Sequence, residues 1–177
     1  MKNKYLIWIV VLLWITVLSV IIFKHNEITT HGKIVILKTE PVDPRDPFRG
    51  DYLNLQYDIS TIADPLTEIQ KKEVLQSRKI YAVLKKEDYY YVLDHFSTTK
   101  PNKNVTYIRG GVWGDLSNMI RVQYNIESYF VPEGKGIELQ THLGKDMFVE
   151  VYVDEMGEAA IKTLLIGKEP VKFDTNQ

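Results

Sequence analysis

Cysteine is absent from the 177-residue chain. That excludes thiolate catalysis, Cys-ligated zinc, disulfides and lipid attachment through Cys. A cysteine-free domain outside the membrane suits an envelope in which disulfides are rare. An excess of charge of one sign is missing too: 22 Lys and Arg face 23 Asp and Glu, for a net charge of −1. With no long basic block there is no electrostatic footprint for nucleic acid, and no nucleic-acid partner is expected. The four histidines, His25, His31, His95 and His142, share no metal-binding spacing such as HExxH. No metal and no cofactor is therefore expected. Internal repeats and low-complexity tracts are also lacking.

One long apolar run is present. Tyr5 to Phe23 ("YLIWIVVLLWITVLSVIIF") is 19 residues without a charge. At about 1.5 Å per residue it spans roughly 28 Å, close to the ~30 Å hydrocarbon core of a bilayer. Lys2, Lys4 and the amino terminus precede it, whereas Lys24 and His25 are soon offset by Glu27. The positive-inside bias predicts a cytoplasmic N-terminus and a single-pass protein of the cell membrane, with the C-terminal domain extracytoplasmic. A cleaved signal peptide has a shorter apolar region and a small-x-small cleavage site; "SVIIFKHNEI" has no such site. The expected organisation is a cytoplasmic tip and signal anchor over 1–24, a polar tether over 25–32, and one extracytoplasmic domain over 33–177.

The domain reads as mainly β. "KIVILKT" (33–39) is a strand candidate. Leu53, Leu55, Tyr57 and Ile59 alternate with Tyr52, Asn54, Gln56 and Asp58, a half-buried strand pattern. "DPLTEIQKKEVLQ" reads as a helix, with Asp64 as cap and Pro65 at the first helical position. Residues 79–85 and 88–96 form two strands around a turn near Asp88, and "NVTYIRGGVWG" is a shorter strand ended by glycines. The clearest strand places Ile120, Val122, Tyr124, Ile126 and Phe130 on one face and Arg121, Gln123, Asn125 and Glu127 on the other. "GIELQTHLG" gives one or two helical turns closed by Gly144. "MFVEVYVDEMGEAAIKTLLIG" is a hairpin turning at Glu155-Met156-Gly157. The predicted fold is α+β, mainly β: an N-terminal transmembrane helix followed by a small antiparallel β-barrel or sandwich with one or two short helices.

"EPVDPRDPFRGDYLNLQY" (40–57) is the densest stretch. Pro41, Pro44 and Pro47 repeat at three, the period of a polyproline II helix. On that geometry Val42, Arg45 and Phe48 form a second edge, and Glu40, Asp43, Asp46 and Arg49 a third. Asp43 and Asp46 would stand about 9 Å apart, too far for one local calcium shell or a proton-sharing dyad. The bland reading is a structural cluster of ion pairs and Asx-turns around Arg45 and Arg49. Gly50 permits a turn or bulge, after which Tyr52 is the odd member of the strand: an aromatic on the polar face, beside Asp51. It either covers an edge or, with Asp51, belongs to a contact surface.

These residues resemble a known family. "GDYLNLQY" (Gly50, Asp51, Tyr52, Leu55, Tyr57) is similar to the motif that names the GDYXXLXY family of membrane-anchored bacterial proteins. "PVDPRDPFRGDY" before it, "YFVPEGKG" at 129–136 and "GEAAIKTLLIGK" at 157–168 resemble that family too, so the likeness covers roughly residues 33–168. The resemblance implies a single N-terminal anchor, an exported domain and no established activity. Its genes often sit beside one for a multi-pass membrane protein, which implies a membrane partner. It carries no catalytic residues. In the second block Pro132 stops a strand and Glu133-Gly134-Lys135-Gly136 turns tightly. Glu133 and Lys135 either serve only that connection or share a patch with the proline segment; the sequence does not bring the two blocks together.

Two functions follow. The first is a non-catalytic accessory module that binds a membrane protein or envelope component, held in the lipid bilayer through residues 5–23. Its candidate contact surface is Asp43, Arg45, Asp46, Arg49, Asp51, Tyr52, Glu133 and Lys135. The second is an envelope hydrolase using Asp43, Asp46, Asp51 and Glu133, since carboxylate pairs about 5–9.5 Å apart run glycoside hydrolysis. "RGDYLNL" also resembles the RGD-led strand of type I signal peptidases. That chemistry needs a serine just after the anchor, and none lies between Ser19 and Ser60. An enzyme is the weaker of the two readings, and no catalytic residue is assigned.

Overall fold

A computed structural model describes residues 2–40, 52–62, 68–116, 119–132 and 134–173. Helix α1 (Lys2–His31) contains the apolar run. Its stretch Ile7–His31 is long and apolar enough to cross a membrane. The polar segment expected to be a tether continues this helix as far as His31, so the chain leaves α1 at Gly32 and enters strand β1 (Lys33–Glu40) at the next residue. The physical reason is legible in "KHNEITTH". It contains no Gly or Pro to break the helix, and Ile28 is buried where α1 packs against the domain.

The other strands are β2 (Tyr52–Asn54), β3 (Gln56–Tyr57), β4 (Thr61–Ile62), β5 (Lys79–Glu87), β6 (Tyr90–Ser97), β7 (Thr106–Leu116), β8 (Met119–Gln123), β9 (Ser128–Phe130), β10 (Met147–Val153), β11 (Ala159–Ile166) and β12 (Glu169–Pro170). Helices α2 (Glu68–Ser77) and α3 (Lys135–Gln140) interrupt them; Asp64 and Pro65, expected to open α2, lie outside the described residues. The main sheet runs β12-β11-β10-β1-β6-β5-β7-β8-β4, with β3 attached to β1. Among the described residues only β1 and β6 pair in parallel, and the other pairings are antiparallel. The path ends at β12 and β4 and does not close, so the barrel alternative falls and the arrangement is consistent with a sandwich. The predicted mainly β, antiparallel class holds.

The sheet strands share one core. Val35 and Leu37 of β1, Val149 and Val151 of β10, Ile80 and Ala82 of β5, and Ile108 of β7 belong to a single buried cluster. Hydrogen bonds hold the β10–β11 turn against β7: the Tyr107 hydroxyl donates to the Glu155 carbonyl (2.7 Å) and the Arg109 amide to that of Gly157 (2.7 Å). Arg109 and Glu158 pair beside them. Thr39, a buried polar residue, is satisfied on both sides, donating to the Met147 carbonyl (2.9 Å) and accepting from the Gly144 amide (3.2 Å).

The long strand expected through 120–130 is broken. Asn125 has a positive φ of 62°, and the Tyr124 amide donates to the Glu127 side chain (2.5 Å). The alternation of buried Ile120, Val122, Tyr124 and Ile126 ends after Ile126 and resumes with the opposite parity: Val131 is buried and Phe130 is exposed. Phe130 is not on the core face.

Candidate contact surface

The described ends of the two signature blocks are paired strands. β2 and β9 form a separate two-stranded antiparallel ribbon, with Tyr52 opposite Phe130, Leu53 opposite Tyr129 and Asn54 opposite Ser128. Directly opposed residues share a face. Leu53 is fully buried beneath the ribbon, and α3 packs against β2. Tyr52 and Phe130 point outward, 59% and 61% exposed. Their rings meet edge to face with centroids 5.5 Å apart, a geometry that aromatic pairs favour. Asn54 and Ser128, also exposed, extend the same face with polar groups.

Beneath the ribbon, two tyrosines fasten the blocks to each other. The buried Tyr57 hydroxyl donates to the Ile126 carbonyl (2.5 Å), and the buried Tyr124 hydroxyl donates to the Ile59 carbonyl (2.5 Å). The Leu55 amide donates to the Glu127 carbonyl (2.7 Å) and the Val122 amide to that of Ser60 (2.9 Å). Each segment thus donates to and accepts from the other. Burial, with the Glu127 charge adding to it, holds both phenols well above the usual tyrosine range, so they stay neutral donors.

The motif therefore divides by role. Leu55 and Tyr57 are core and clamp, while Tyr52 is the exposed aromatic that the alternation pointed to. Of the other candidate residues, Lys135 opens α3 and is exposed. Asp43, Arg45, Asp46, Arg49, Asp51 and Glu133 lie outside the described residues, as does the proline segment. Sequence reasoning missed Phe130, because the alternation reads straight through Asn125, a residue type prone to the positive φ it adopts here.

It also missed Asp58. This residue follows Tyr57, and its Oδ1 is enclosed without a hydrogen-bond partner. Burial, then the nearby Glu40 charge, pushes its carboxyl up to about 6, against an opposing pull from Lys38. Glu40 itself accepts from the Gln56 side chain (3.2 Å). Among the described residues no group of three His, Asp or Glu stands close enough to hold a metal ion.

An apolar N-terminal helix joined to an open, mainly antiparallel β-domain, with an exposed aromatic pair clamped at one end, defines an anchored-type β-domain without a recognisable catalytic constellation among the described residues. The chain belongs to the GDYXXLXY protein family, whose model matches residues 14–164. No curated protein and no solved structure matches it.

Proposed function

We propose that this protein is a membrane-anchored extracytoplasmic binding module, non-catalytic, that presents the Tyr52–Phe130 face to a membrane protein or an envelope component. The observation that carries the reading is the contrast within the two segments that clamp each other. Tyr57, Leu55 and Tyr124 are buried and bonded, whereas Tyr52 and Phe130 lie open above them on a ribbon that their neighbours hold in place. Large aromatics cost little conformational entropy to immobilise and dominate contact energetics when a partner covers them. Of the charged candidates near these strands in sequence, Lys135 is exposed at the start of α3.

The topology in this proposal places α1 across the membrane with the N-terminus cytoplasmic, from the Lys2 and Lys4 bias. Because the chain has no cysteine, single cysteines test the topology cleanly. Asn102→Cys, at an exposed loop, should react with a membrane-impermeant maleimide in intact cells, and Asn3→Cys should react only after lysis. The reverse pattern overturns the topology. For the contact face, Tyr52→Ser with Phe130→Ser should reduce crosslinked partner recovered from native membranes by at least about tenfold, as expected for loss of a hot spot. Undiminished recovery at unchanged melting temperature overturns that part.

A further inference from the structure

We propose that residues 28–33 form a rigid joint, so that the anchor helix and the β-domain move as one body and the domain is held at a fixed orientation to the helix. Four independent features converge there. First, α1 runs without interruption from the apolar span to His31. At ~1.5 Å per residue the 30-residue helix is about 45 Å long, some 15 Å more than a hydrocarbon core. Its last turns are therefore not needed to cross the membrane and instead reach the domain. Second, Ile28 is buried where α1 packs on β10 and β11.

Third, a single residue separates helix from strand, and it has no room to vary. The Gly32 amide donates to the Ile28 carbonyl (3.0 Å). A Cβ on Gly32 would clash with that same carbonyl oxygen and lie 2.9 Å from Tyr152 Cβ and 3.1 Å from the Val153 amide nitrogen. Fourth, the first strand residue is fixed from its side chain. Lys33 Nζ donates to Thr106 Oγ1 (2.6 Å) and sits over the Tyr91 ring, 5.6 Å from its centroid. β1 is meanwhile laddered to β10 from the same residue, Lys33 opposite Val153.

The consequence concerns how the contact face works. Glu40 ends β1 about 23 Å from Lys33, at ~3.3 Å per residue, and β3 pairs at that far end. Tyr52 leads into β3, so the aromatic ribbon sits roughly a strand's length from the joint. A tilt or rotation of α1 is carried to that ribbon with no tether to absorb it. The inference rests on reading α1 as a membrane span, and the test separates the two.

Full-length Leu12→Cys, Gln123→Cys protein, both positions exposed, is spin-labelled in lipid nanodiscs and the interspin distance distribution measured. A rigid joint gives one narrow distance. An eight-residue Gly-Ser insertion after His31 leaves the domain folded and, with a span of about 15 Å, broadens the distribution by that order. A native distribution as broad as that of the insertion overturns the proposal; so does an insertion that stays narrow, which would place the constraint elsewhere. Access of oxygen and of a water-soluble relaxation agent to the Leu12 label reports separately whether α1 lies in the bilayer.

Discussion

Tyr52 and Tyr57 belong to one motif and meet opposite environments, so the same substitution has opposite expected effects. Tyr57→Phe removes the donor to the Ile126 carbonyl inside the core. It should cost about 1–3 kcal/mol in urea unfolding, the penalty for a buried group left unpaired. Tyr52→Phe, at an exposed ring, should leave stability unchanged. Leu55→Ala, at a buried position, should cost about 2–5 kcal/mol. Asp58 makes a pH-dependent prediction. Its folded-state pKa of about 6 lies above the ordinary 3.8, so folding favours the protonated form. The stability this confers is full below pH ~4 and is lost as pH rises through about 6. Asp58→Asn mimics the protonated form permanently. Melting temperature against pH should show the native protein losing ground to this variant between pH ~4 and ~6.5; parallel curves would contradict the burial argument.

At the scale of elements, alternation located β1, the 52–59 segment, the β5–β6 hairpin and the β10–β11 hairpin, because a sheet with one buried face imposes a period of two. It failed where the irregular stretch between β8 and β9 changed the parity. Asn125 lets Glu127 cap the Tyr124 amide; Ile126 keeps the buried parity, and only beyond it is the parity inverted, which is how Phe130 came to be placed in the core. It failed again at residues 24–31, where composition suggested a tether but burial of Ile28 extends the helix. Half the contact pair was therefore legible, Tyr52 through its anomalous face. Phe130 was not, because its exposure depends on an irregular stretch around Asn125 that an alternation reading runs straight through. Gly157 tests a tight turn of this kind. It has φ 79°, and a Cβ there would lie 2.7 Å from the Tyr107 ring. Gly157→Ala should destabilise by more than about 1 kcal/mol in denaturant unfolding.

The whole molecule joins a helix long and apolar enough to cross a membrane to a domain of the GDYXXLXY family in which the motif residues Leu55 and Tyr57 serve the core. Leu55, Tyr57 and Tyr124 weld two distant segments, and the product of that weld is a small ribbon with two open aromatic rings. The central claim is that this face is where the protein touches something else. A photo-crosslinking amino acid placed at Phe130, compared in the same native membranes with one placed at Trp113, tests it most directly, since both positions are exposed aromatics and only one belongs to the ribbon. The account predicts one discrete adduct from position 130, none from 113, and loss of the adduct on Tyr52→Ser. Equal labelling from both positions, or an adduct indifferent to Tyr52, would contradict it.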